Sequence, residues 1–295
     1  MLDKFWESLG GELAGEWLRH AFSPPFLFYL VGLGFYVLRH DWQTLRSAVM
    51  GLTVVEQIAL LILLLIGLIL SALLSAQWRF ALLRWLEGYW PWPLRYLEKP
   101  FCAWQKHRLV RAEAQLNALL ARPSTNRHSR AALEVFTHYF PDDSAEIRST
   151  HLGNILRAGE TAPTQKYGLD AVACWPRLWP LLPAHVREDL SSVRSRLLTL
   201  AEVWGVGLLS VVWVIWSWWA LPLALAWMWL TYQLMLPVAM TYADLIESAF
   251  DLYRFSLYDA LGWPRPTDSQ SEPEQGKALT EFLWRGTLEP PRAYK

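Results

Sequence analysis

Near the C-terminal end of the chain, polar side chains recur at helical spacing. Gln233, Pro237, Thr241, Asp244, Ser248 and Asp251 follow one another in steps of four, four, three, four and three. That rhythm places them on one face of a helix, with Glu247 beside the stripe. The face begins among apolar residues and becomes strongly acidic. Inside a bilayer such groups turn to protein or water, because lipid cannot satisfy them. Where several copies surround an axis, each acidic position becomes a ring that attracts cations. Gln233, Thr241, Asp244, Glu247 and Asp251 are therefore the candidate ion pathway. The competing reading is plainer. Charges usually begin where a span ends, so the helix leaves the membrane near Thr241 and the acids form a solvated or ion-paired face. Arg254 and the basic middle of the chain supply partners for it.

Other reactive side chains are sparse. His138 stands near Asp142 and Asp143, with His128 and His151 farther off, a spacing that matches no metal-ligand pattern. Cys102 and Cys174 make neither a disulfide framework nor a metal site. There is no Gly-x-Ser-x-Gly, His-Glu-x-x-His or phosphate loop, and the interiors of the apolar segments carry no His, Asp, Glu, Lys or Arg. Catalysis at the membrane surface would have to draw on His138, Asp142, His151 and Asp170. No catalytic residue, metal or cofactor is assigned, and the chain is not expected to be an enzyme. No nucleic-acid partner is expected either.

The elements that position these residues are dominated by the membrane. Hydrophobic residues make up 53% and charged ones 18% of the 295, and the apolar residues gather in long charge-free runs. The expected fold is all-α and polytopic, with four transmembrane helices as two hairpins and a helical cytoplasmic region between spans two and three. The spans are placed at 22–38, 54–76, 203–220 and 221–243. The first is short and starts at Pro24-Pro25, a place where proline costs a helix little. Pro222 and the uncharged Ser-Trp-Trp-Ala-Leu-Pro run mark a tight turn between spans three and four. The chain holds 19 Trp. Trp gathers where a membrane meets water, and Trp78, Trp90, Trp92, Trp175, Trp179, Trp216, Trp218 and Trp219 are the expected interfacial anchors. Gly67, Ser71 and Ser75 lie four apart on span two, a pattern that lets another helix approach closely.

The chain divides into an amphipathic N-terminal helix (1–21), a first hairpin (22–76), a cytoplasmic helical region (77–198), a second hairpin (199–243), a docked helix (244–263) and a largely disordered tail (264–295). Within the middle region, 100–121 reads as a helix, 122–129 as a linker and 161–167 as a polar loop. The segment 175–183, with three prolines, reads as an interfacial elbow or part of the cytoplasmic core. Most of the 27 basic residues fall in 77–198. Arg79 and Arg84 follow span two, and Arg194 and Arg196 precede span three. By the positive-inside rule both termini and the middle region are cytoplasmic, in the cell (inner) membrane. The first residues lack the pattern of a cleaved leader, so the first hairpin is expected to direct insertion. The leading functional expectation is a homo-oligomeric, cation-conducting channel in the lipid bilayer. The alternative is a non-conducting anchored scaffold or regulatory subunit with a cytoplasmic protein partner.

Overall fold

A computed structural model describes residues 24–121 and 127–286, apart from the side chains of Pro24, Ser75 and Ala76. The expected amphipathic helix at 1–21, part of the 122–129 linker and the last residues of the tail lie outside the described residues. Among the described residues all regular structure is helical. Three stretches are long and apolar enough to cross a membrane: Val54–Leu74, Ala184–Ile215 and Ala220–Ala260. The helix at the expected first span, Pro24–His40, has 17 residues and is shorter than these three.

The helices in order are α1 (Pro24–His40), α2 (Trp42–Met50), α3 (Val54–Leu86), α4 (Glu98–Leu120), α5 (Arg127–His138), α6 (His151–Tyr167), α7 (Ala171–Leu178), α8 (Ala184–Ser210), α9 (Ala220–Ala260) and α10 (Glu272–Arg285). They form two compact units. The first comprises residues up to Leu83 together with Leu198–Leu234, the second Arg84–Leu197 with Met235 onward.

In the first unit, α3 starts where a capping box forms. The Thr53 backbone N–H donates to Glu56 Oε2 at 2.7 Å, and the Glu56 N–H reaches back to Thr53 Oγ1 at 3.4 Å. Between α1 and α3 the expected loop is itself partly helical: Asp41, at φ 67°, caps α2 by accepting from the Trp42 N–H at 2.7 Å. The end of α8 and the start of α9 lie against each other. Trp227 Nε1 donates to the Val203 carbonyl at 2.8 Å, and Gly207 sits so close to Met228 that a Cβ there would come within 2.7 Å of its Cγ. Gly205 meets Leu82 in the same way. Phe28 of α1 stacks on Trp213 at 4.8 Å, and Trp213 in turn stacks on Trp216 at 4.7 Å. The break at 216–219 comes where the sequence predicts a turn, and Pro222 falls in the first turn of α9, where its missing N–H costs nothing.

The second unit buries a contiguous core. Leu169, Cys174, Leu178, Phe250, Leu257, Tyr258 and Leu279 are fully enclosed. Two sequence expectations change here, and a third is decided between its two alternatives. First, 161–167 is no loop: α6 runs unbroken through Pro163 to a C-cap at Gly168, φ 70°. Packing overrides the local signal, because Thr161 and Pro163 are buried and Gly159 lies on Ala243, whose Cα a Cβ would meet at 2.7 Å. Second, 175–183 belongs to the core. α7 absorbs Pro176, and a 3₁₀ turn (Trp179–Leu181) absorbs Pro180. Trp175 and Trp179, expected at an interface, pack on the core, Trp175 with its ring 6.0 Å from that of Phe250. Third, the tail is not disordered through 272–285. α10 buries Leu279, Gly276 lies against the Tyr167 carbonyl, and Glu272 takes a 2.7 Å hydrogen bond from Arg254 Nε. The polar composition of this stretch conceals the few contacts that fix it.

Candidate functional site

The acidic stripe lies on the outward side of α9. Gln233, Pro237, Thr241, Asp244 and Ser248 are exposed, while Ala239, Ala243, Ile246 and Phe250 line the opposite, buried side. Thr241 spends its hydroxyl on the Pro237 carbonyl at 3.0 Å.

Within the second unit, the acids meet partners from α5, α6 and the segment after α5. The Tyr139 hydroxyl donates to Asp244 Oδ1 and Oδ2 at 2.9 and 3.0 Å. Lys166 pairs with Glu247 and lies 3.4 Å from Asp251 Oδ2. Tyr167 donates to Asp251 Oδ1 at 2.6 Å. His138 Nε2 stands 4.0 Å from Glu247 Oε2. Arg254, expected as a partner of the stripe, gives its guanidinium to Glu272 and to the Asp251 backbone carbonyl instead. Burial lowers the proton affinity of the Lys166 ammonium, but Glu247 and Asp251 outweigh it and hold the group above its ordinary value. Burial and the bond to Asp244 together push the Tyr139 hydroxyl up to about 12. Both donors therefore keep their protons at neutral pH.

His138, Tyr139, Lys166, Asp244 and Glu247 border a half-open cleft of about 360 Å³, which Asp142, Gln165 and Gly159 also line. Of the four residues nominated for catalysis, His138 and Asp142 share this cleft. Asp170 caps α7, accepting from the Val172 N–H at 2.8 Å. His151 opens α6 with its ring stacked on Phe136 at 5.2 Å, and burial, then Arg108, lowers its pKa to about 4.

A second cluster escaped the sequence reading. Glu87, just past α3, is largely enclosed, and its carboxyl is pushed up to about 7 by burial and then by Glu160, against the pull of Arg84, Arg148 and Arg194. Around it the chain is clamped to the start of α6. Thr150 Oγ1 donates to the Leu86 carbonyl at 2.6 Å and accepts from the Gly153 N–H at 3.0 Å, and Ser149 Oγ donates to the Gly88 carbonyl at 3.3 Å. Gly153 lies against the Glu87 carbonyl, and Gly88 takes φ 97°. The sequence signal was slight: one acid among Trp85, Tyr89 and Trp90.

A Cβ at Gly67 would meet open space, Ser71 turns its hydroxyl to the Leu68 carbonyl at 2.9 Å, and Ser75 falls outside the described side chains. Among the Trp anchors, Trp78, Trp92, Trp218 and Trp219 are exposed, the last two stacked at 4.1 Å. Trp90 donates to the Trp85 carbonyl at 3.0 Å, and Trp216 is half-buried.

Compared with protein-family models, characterised proteins and solved structures, the chain matches none.

Proposed function

We propose that the protein is a membrane-anchored module, in which two helical hairpins with four spans hold a folded helical unit at the cytoplasmic face. On this reading the unit serves as a scaffold or regulatory subunit for a cytoplasmic protein partner. One observation carries it: Asp244, Glu247 and Asp251 are already engaged by Tyr139, Lys166 and Tyr167 of their own chain. Lining a conducting ring would require giving up those bonds, whereas holding α6 on α9 uses them as they stand. The anchor is supported by Val54–Leu74, none of which is buried within the protein. The cytoplasmic placement of the unit is supported by the arginines at 79, 84, 194 and 196.

Gentle co-purification from its native membrane tests this, with light scattering of the detergent-solubilised protein beside it. A stoichiometric partner on a monomeric chain is the expected result. A protein that purifies alone, as a symmetric assembly of four or more copies, overturns it.

A second reading, the homo-oligomeric cation channel, draws support from the same bare helix. The exposed face of α3, open at Gly67, offers a seat for another copy. It expects ion flux in vesicles that Asp244→Asn with Asp251→Asn reduces at least ~10-fold, since charge rings set cation access. Flux unchanged by the pair removes the stripe from any conducting role.

A further inference from the structure

Within the second unit, the segment from Trp92 to Lys106 keeps large apolar side chains out of the core. Trp92 and Tyr96 are 77% and 76% exposed, and Leu94, Leu97 and Trp104 also face outward. Trp92 precedes a 3₁₀ turn (Leu94–Leu97) that carries Leu94, Tyr96 and Leu97, and Trp104 lies in the first turns of α4. Interleaved with them are the exposed cations Arg95, Lys99 and Lys106, while Glu98 is the sole carboxylate between residues 88 and 112. None of the ion pairs found among the described residues involves these three cations.

A surface of this kind has two requirements. Its rings gain by leaving water, and its cations gain from negative charge they do not pair with among the described residues. Protein interfaces are depleted in lysine at their centres, whereas Trp and Tyr mixed with Lys and Arg characterise the headgroup layer of a membrane. The segment also follows shortly after the end of α3, the helix that carries the apolar stretch Val54–Leu74, so a bilayer is within tether reach.

We propose that Trp92–Lys106 is an interfacial lipid-binding surface that selects anionic headgroups, with Trp92, Tyr96 and Trp104 inserted among them and Arg95, Lys99 and Lys106 on the phosphates. This rests on the membrane reading above and adds the lipid class. Aromatic insertion supplies depth, and the three cations supply dependence on lipid charge.

The test places a nitroxide at Tyr96→Cys in a C102S background of the full chain. Cys174 is enclosed and does not label. The protein is reconstituted into nanodiscs of phosphatidylcholine alone, or with about 30% phosphatidylglycerol, a surface charge that attracts basic segments. Collision with a neutral aqueous nickel chelate and with oxygen reads the label's depth. Access to the chelate is expected to fall at least ~3-fold when phosphatidylglycerol is added, and R95Q/K99Q/K106Q is expected to abolish that fall. Equal access in both discs, whether high or low, overturns the proposal. So does a label already shielded from both reagents in detergent, which would mean protein contact. Failure of the membrane reading looks different: the chain would not enter discs at all and would wash from native membranes in alkaline carbonate.

Discussion

Leu63 in α3 and Phe250 in α9 are both large and apolar, yet Leu63 is 68% exposed and Phe250 is not exposed at all. The contrast extends to the units they belong to. In the first unit, side chains along Val54–Leu74 turn outward, and glycine allows close approach at points such as Gly207 on Met228. In the second, aliphatic and aromatic side chains from α7, α8, α9 and α10 meet in one enclosed core. One chain thus follows two packing rules. Where the surroundings are as apolar as leucine, burial between helices gains nothing and close backbone approach drives association. Where they are water, burial is the driving force.

The largest effect should come from breaking the second rule and leaving the first. Phe250→Ala opens a cavity in the enclosed core, at a cost of about 3–5 kcal/mol. Cys174 is buried in that same core and reports its opening. In a C102S background, its labelling by a thiol reagent should accelerate at least ~100-fold. Leu63→Ala should leave that rate unchanged. Equal acceleration by both would break the comparison, because it would make the outward leucines part of the same cooperative core.

A smaller effect concerns protons. Glu87 binds its proton up to about pH 7 in the folded unit, against an ordinary value of 4.5. His151 refuses one down to about pH 4, against 6.5. Alone, the glutamate makes the folded state bind more protons than the unfolded one, so stability falls as pH rises from 4.5 to 7. Alone, the histidine makes it bind fewer, so stability falls as pH drops from 6.5 to 4. Between pH 4.5 and 6.5 the two oppose each other, and these two groups should leave the native protein's thermal midpoint nearly flat. Glu87→Gln should expose the histidine slope, a gain on the order of 2 kcal/mol as pH rises through that window. His151→Gln should expose a slope of opposite sign. Flat profiles in both variants would mean that neither group is enclosed as described.

The smallest effect belongs to the stripe. Tyr139→Phe removes a hydrogen bond to an exposed carboxylate and should lower stability by about 1 kcal/mol or less. Combined with Asp244→Asn it should cost little more than the larger single change, since both remove one contact. Full additivity would sharpen the channel reading, by showing that Asp244 is not committed to Tyr139.

The sequence carried the coarse architecture because its strongest signals are long and local. Charge-free runs and the uncharged turn before Pro222 each act over a few neighbouring residues. What it hid is set at long range. Pro163 and a polar run suggest that a helix ends near Gly159, yet Ala243, more than eighty positions later, seats that glycine and the helix continues. The same holds for the stripe. Its spacing was plain, but nothing near Asp244 points to Tyr139, and nothing near Asp251 points to Lys166 or Tyr167. Acidic residues at helical spacing look the same whether water, an ion or a distant lysine awaits them.

The clamp at the end of α3 has a bearing on synthesis. Thr150 reaches the Leu86 carbonyl across 64 residues of chain. At roughly 5–20 residues per second, several seconds pass between the ribosome adding Leu86 and adding the threonine that will hold it. Throughout that interval the end of α3 is without its clamp. The interleaved rings and cations of Trp92–Lys106 are made within roughly the first few seconds after Leu86, long before the clamp can close.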